Sequence, residues 1–160
     1  MFYIFASTAL SARTYSSEMA LDGWKKHPLP PSSPVRFTVV LEQTNLDLIK
    51  RAALSVSTPG HKEYGNFLSA KQVDALTAPA PAHVATVTSW LNSAGIAYTR
   101  NREVLHVNAT VGVASALLDT SFATYTDADG RAIVRASTYS LPSTVDKAVR
   151  SKASPDTARM

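Results

Sequence analysis

The sequence predicts an α+β fold, a two-layer sandwich of an antiparallel sheet with inserted helices. Three observations point there. First, 45% of the 160 residues are hydrophobic and 18% are charged, the balance of a globular chain with a sizeable core. Second, segments alternating at period two are interleaved with segments repeating at 3-4-3 spacing, and the two kinds do not strictly alternate as they would in a parallel α/β sheet. Third, Pro and Gly fall between these segments rather than inside them.

Taken in order, residues 1–35 are expected to be a leader. Phe2 to Ala12 is apolar and small, like the hydrophobic region of a secretion signal, but no basic segment precedes it. Pro28, Pro30, Pro31 and Pro34 exclude a helix over the following stretch. The domain proper, residues 36–149, opens on a strand in which Phe37, Val39 and Leu41 alternate with polar neighbours. Thr44 or Asn45 can cap the next helix, whose stripe is Leu46, Ile49, Ala53 and Val56. Thr58-Pro59-Gly60 ends it. A compact turn with buried aromatics, Tyr64 and Phe67, is expected next. Ser69 and Gln72 then stand at the spacing of a capping box.

A further helix carries Val84, Val87 and Leu91 and closes at Gly95. Strands near Ile96–Thr99 and Val104–Asn108 follow. Thr110 is placed to cap a helix with Val113, Ala114, Leu117 and Leu118 on its apolar face. Asp127-Ala128-Asp129-Gly130 is a hairpin signal between strands near Ser121–Thr126 and Ala132–Tyr139. Ser143–Val149 reads as a last helical turn, and residues 150–160 as a polar tail. The βαββαβ order is that of a ferredoxin-like topology.

Charge argues against a nucleic-acid partner. The net charge is +4, yet ten basic and nine acidic residues lie between Arg36 and Val149, so the excess sits in the ends. No apolar run approaches the length of a membrane-spanning helix. With no cysteine, thiolate sites and disulfides are excluded. His27, His61, His83 and His106 are scattered, none at ligand spacing from another. His106 alternates with Leu105 and Val107 and faces solvent or a partner. Asp127-x-Asp129-Gly130 matches half a calcium loop, but Thr138 stands where the terminal Glu belongs. There is no nucleophile elbow, zinc helix or phosphate loop. Accordingly, no cofactor, no metal and no catalytic residue is expected.

One stretch is more specific. Val56-Ser57-Thr58-Pro59, Tyr64-Gly65-Asn66-Phe67-Leu68-Ser69 and Gln72-Val73 resemble the pattern Val-Ser-Asp-Pro-x-Ser-Pro-x-Tyr-Gly-x-x-Leu-Thr/Ser-x-Glu-Gln-Val of the activation domain of sedolisin/kumamolisin serine-carboxyl peptidases. Trp90-Leu91 before Gly95, Leu117 to Phe122 with Tyr125, and Tyr139-Ser140-Leu141-Pro142 resemble later elements of that family in register. Thr58, His61-Lys62 and Lys71 depart from it.

The resemblance implies that Pro59, Tyr64, Gly65, Leu68, Ser69, Gln72, Trp90, Tyr139, Leu141 and Pro142 are structural. It implies a secreted or vacuolar domain that helps an attached peptidase fold and blocks its cleft until acid-triggered cleavage. The family's catalytic residues and calcium site lie in the following domain. The partner is then the cognate peptidase domain. Arg150 and Lys152 in the tail are candidate processing positions, and Asn108-Ala109-Thr110 is a glycosylation sequon. The alternative is a free-standing peptidase inhibitor acting in trans.

Overall fold

The structure, a computed structural model, describes residues 12–16, 23–136 and 138–150. Its elements are β1 (Ala12–Ser16), β2 (Lys25–Pro28), β3 (Pro34–Val40), α1 (Leu46–Ser57), α2 (Ala70–Thr77), α3 (Pro81–Ser93), β4 (Ala97–Asn101), β5 (Val104–Thr110), α4 (Val111–Leu118), β6 (Phe122–Thr126), β7 (Ala132–Ala136), β8 (Thr138–Pro142) and α5 (Ser143–Asp146).

The central sheet runs β3-β5-β4, all antiparallel. Its period-two pattern sorts the side chains cleanly. Val35, Phe37, Leu105 and Val107 point into the core, where they meet Val87 and Leu91 of α3 and Val111, Ala114 and Leu118 of α4. Helices thus cover one face, as the α+β expectation requires. The order matches three strands of a ferredoxin-like sheet. At the fourth position, the free edge of β3, the chain supplies a single bridge instead of a strand. Val149 pairs antiparallel with Leu41, flanked by Glu42 N–H to Ala148 O at 2.9 Å and Arg150 N–H to Val40 O at 2.8 Å. The remaining strands form two smaller sheets, β2-β6-β7 and β1-β8.

The stretch expected as a leader contributes two strands. β1 pairs with β8, where Arg13 Nε reaches Asp146 of α5 at 3.3 Å, and β2 pairs with β6. The proline-rich segment between β2 and β3 has a definite task. Thr110, expected to cap α4, makes no side-chain cap bond. Carbonyls of the proline segment accept instead: Val111 N–H donates to Ser33 O and Gly112 N–H to Pro31 O, both at 2.8 Å. Proline lacks an N–H but keeps its carbonyl, so this segment can receive the orphan donors of a helix start. Val113 is exposed, and Val111 takes the core position expected of it.

Other caps follow the sequence closely. Ser69 and Gln72 form the full capping box of α2. α3 ends in a Schellman motif: Gly95 N–H donates to Asn92 O and Ile96 N–H to Leu91 O, with Gly95 at φ +65. The β6–β7 hairpin closes through Asp127 and Arg131, with Gly130 at φ +80.

Candidate docking surfaces

Among the described residues there is no cluster of three or more His, Cys, Asp or Glu side chains able to hold a metal, and no helix is long and apolar enough to cross a membrane. Two surfaces stand out.

The first is the face of the β3-β5-β4 sheet that the helices leave open. The strand register builds it in rows: Arg36, Asn108 and Ala97 side by side, then Thr38, His106 and Thr99. All six are exposed. It is a flat, mostly small-residue surface with His106 at its centre on the middle strand. Its charged neighbour is Arg36, one diagonal step away; Thr38 and Thr99 flank the ring from β3 and β4, and Arg150 stands beyond at the β3 edge. No carboxylate lies in these two rows. Asn108, the sequon residue, shares the face.

The second surface is the α1–α2 connection. The expectation of a buried aromatic turn is not met: Tyr64 is 57% and Phe67 72% exposed, and Leu54, in the last turn of α1, is 68% exposed. These side chains are held out by an ordered loop. His61 N–H donates to Thr58 O, Tyr64 N–H to His61 O, Asn66 N–H to Glu63 O and Phe67 N–H to Gly65 O, at 2.9 to 3.1 Å. Gly65, at φ +81, donates to Val56 O at 3.0 Å and folds the loop back onto the end of α1. The Thr58 hydroxyl donates to Leu54 O, the Glu63 N–H to His61 Nδ1, and Asn66 Nδ2 to the Glu63 carboxylate. The aromatics are exposed because hydrogen bonds, not apolar packing, make this turn.

The base of the loop is clamped. Asn45, the N-cap of α1 at φ 56, makes no cap bond, contrary to expectation. Its Nδ2 donates instead to Leu76 O at 2.8 Å, while Thr44 Oγ1 donates to Leu76 O at 3.1 Å and to Ala78 O at 2.8 Å. The carbonyls left over at the end of α2 are thereby satisfied from the start of α1. Asp74 of α2 pairs with Arg102 in the β4–β5 turn, tying the two helices to the central sheet.

The residues singled out in the sequence divide between surface and core. Pro59, Tyr64, Gly65, Leu68, Ser69 and Gln72 are exposed and shape the α1–α2 loop and the start of α2. Trp90 packs partly buried against the core, Tyr139 and Leu141 of β8 belong to it, and Pro142 is the N-cap of α5. Arg150 is bonded through its backbone to β3, and its Nη1 donates to Gln43 Oε1 at 2.6 Å. Lys152 lies outside the described residues. Leu54 was not anticipated. Its signal was available: it falls off the line of Leu46, Ile49 and Val56 that turns inward, a line on which Ala52 and not the expected Ala53 is part-buried.

The profile of the "Pro-kumamolisin, activation domain" matches residues 22–151. The chain belongs to that family. It is 32% identical over 129 residues to the tripeptidyl-peptidase SED4 of Arthroderma otae, covering 77% of this chain and 21% of that protein. It is 30% identical over 145 residues to the tripeptidyl-peptidase sed1 of Aspergillus fumigatus, covering 87% of this chain and 21% of that one. The chain thus spans about a fifth of the length of the curated relatives it matches. The activation-domain profile begins at residue 22, so it takes in β2 and the proline segment that caps α4.

Proposed function

We propose that this chain is the activation segment of a sedolisin-type serine peptidase, acting on the peptidase unit as folding template and inhibitor until acid-triggered proteolysis removes it. The observation that carries the reading is the activation-domain match over residues 22–151, against relatives called tripeptidyl-peptidases of which it corresponds to one fifth. No catalytic step is assigned to its own side chains. A secreted or vacuolar location is part of the same reading.

The open sheet face suits such a role. A flat, ordered surface on which Thr38, Thr99, Asn108 and Ala97 are small can lie against a partner with little side-chain ordering cost outside Arg36. The charged side chain of this face is Arg36, and carboxylates on a complementary partner lose their charge in acid, which weakens the contact. Processing at Arg150 or Lys152 belongs to the same reading; cleavage at Arg150 would first have to release its backbone bond to Val40 O.

The test mixes the 160-residue chain with the mature peptidase unit of a fungal tripeptidyl-peptidase and follows peptide hydrolysis against pH. Inhibition at pH 7 that is lost by pH 4 is the expected result. An unaffected peptidase at every pH, or hydrolysis by the chain alone, refutes the reading.

A further inference from the structure

An activation segment that docked through the open sheet face alone would have no reason to hold Leu54, Tyr64, Phe67 and Leu68 in water. We propose that this apolar knob is the principal anchor of the chain on its peptidase unit, seated in an apolar recess with an acidic border. The inference rests on the activation-segment reading above and adds to it the contact that carries most of the affinity.

Three observations converge. The first is concentration. Among the described residues, six large hydrophobic side chains are exposed, and five of them lie from Leu48 to Leu68. Scattered surface leucines need no explanation, but a group with two aromatics, gathered at one helix end and on the loop that Gly65 bonds back to Val56, marks an interaction site. The second is preorganisation. Four successive turn bonds, the Gly65 to Val56 closure and the Thr58, His61 and Asn66 side-chain bonds fix the loop before any partner arrives. The Thr44 and Asn45 clamp and the Asp74–Arg102 pair fix the helices beneath it. Rigid aromatic anchors lose little entropy on binding, and such residues dominate measured interface energies. The third is charge. Lys50, Arg51, Lys62 and Lys71 are exposed on the two helices and the loop, against Asp47 and Glu63; Asp47 is itself paired with Lys50 at 3.7 Å. The rim is net basic and calls for an acidic border on the partner.

The occupant follows from the relatives. In them the matching segment is one fifth of a longer chain, so a surface left bare on this segment has the rest of that chain, the peptidase unit, at high effective concentration. A second copy or a lipid surface has no such advantage.

Affinity for the mature peptidase unit of a fungal tripeptidyl-peptidase is measured by inhibition and by titration calorimetry at pH 7. The chain is used whole, as wild type and as Phe67→Ser, Leu54→Ser and Phe67→Tyr. Because both positions are exposed, circular dichroism and thermal midpoints are expected to stay unchanged. Phe67→Ser and Leu54→Ser are each expected to weaken binding about 30-fold, and Phe67→Tyr to stay within about threefold of wild type. If wild type does not bind, the activation-segment reading itself fails. If wild type binds and the serine variants match it, only the knob is overturned. If the serine variants keep peptidase binding but abolish self-association in the ultracentrifuge, or binding to anionic phospholipid vesicles, the knob belongs to a second copy or to a membrane surface and the proposal is overturned.

Discussion

The joint between α1 and α2 rests on one unusual residue, and replacing Asn45 tests how the knob is held. Asn45 sits at φ 56, ψ 25, in the left-handed region, and its Nδ2 donates to Leu76 O at 2.8 Å. Two contributions can be separated by two substitutions. Asn45→Gly removes the hydrogen bond and keeps the backbone at ease, at a cost of about 0.5–1 kcal/mol for a solvent-facing bond. Asn45→Ala removes the same bond and adds the penalty of a Cβ residue in the left-handed region, about 1 kcal/mol more, for a total of about 1.5–2 kcal/mol. At about 3–5 °C per kcal/mol for a domain of this size, the thermal midpoint should fall by about 2–5 °C for Gly and about 5–10 °C for Ala. Differential scanning calorimetry of the three proteins gives the ordering directly. A glycine variant as unstable as the alanine one would refute the strain argument. Two variants indistinguishable from wild type would refute the clamp.

Gly112 of α4 faces Pro31, where an added Cβ would come to 3.3 Å from its carbonyl oxygen; Gly112→Val should lower stability by about 1–3 kcal/mol in urea titration, against the helix-propensity gain that an open site would give. Asp127→Asn should weaken the β6–β7 hairpin in a pH-dependent way. Partial burial pushes the Asp127 carboxyl up, but the Arg131 backbone N–H, the Arg131 guanidinium and the Asp129 N–H outweigh it and hold its pKa below the ordinary 3.8. A depressed carboxylate stabilises the fold above its ordinary value and loses that contribution as pH falls through the folded value. The gap in urea midpoint between wild type and Asp127→Asn should therefore be full at pH 7 and 5 and shrink below about pH 3.8. Finally, a glycan on Asn108 would stand in the middle of the open sheet face. Material secreted from a glycosylating host and carrying that sugar should inhibit the peptidase less than its Asn108→Gln counterpart, as measured by inhibition at pH 7.

Much of this was legible in the chain. The alternation through Phe37 and Val39 and through Leu105 and Val107 gave two central strands, because one buried face forces period two. Ser69 with Gln72, Gly95, and Asp127 to Gly130 marked caps and turns correctly, since those bonds close within a few residues. The capping errors share one cause. Thr44, Asn45 and Thr110 have the chemistry of N-caps, but partners distant in sequence won: Leu76 and Ala78 for the first two, Ser33 and Pro31 in place of the third. The stretch read as a leader showed no strands because their partners, β6 and β8, lie about a hundred residues further on. The Tyr64 and Phe67 turn looked buried because aromatics usually are, whereas backbone bonds hold it without them.

The sequence by itself determined the α+β class, the helices and most strands, and the family, all of which depend on residue type and short spacing. Only the tertiary structure decided which surfaces stay open. Exposure of the His106 face depends on where the helices come to rest, settled by contacts between residues far apart in the chain; the Phe67 knob is held out by local loop bonds on a base that Thr44 and Asn45 clamp to Leu76 and Ala78.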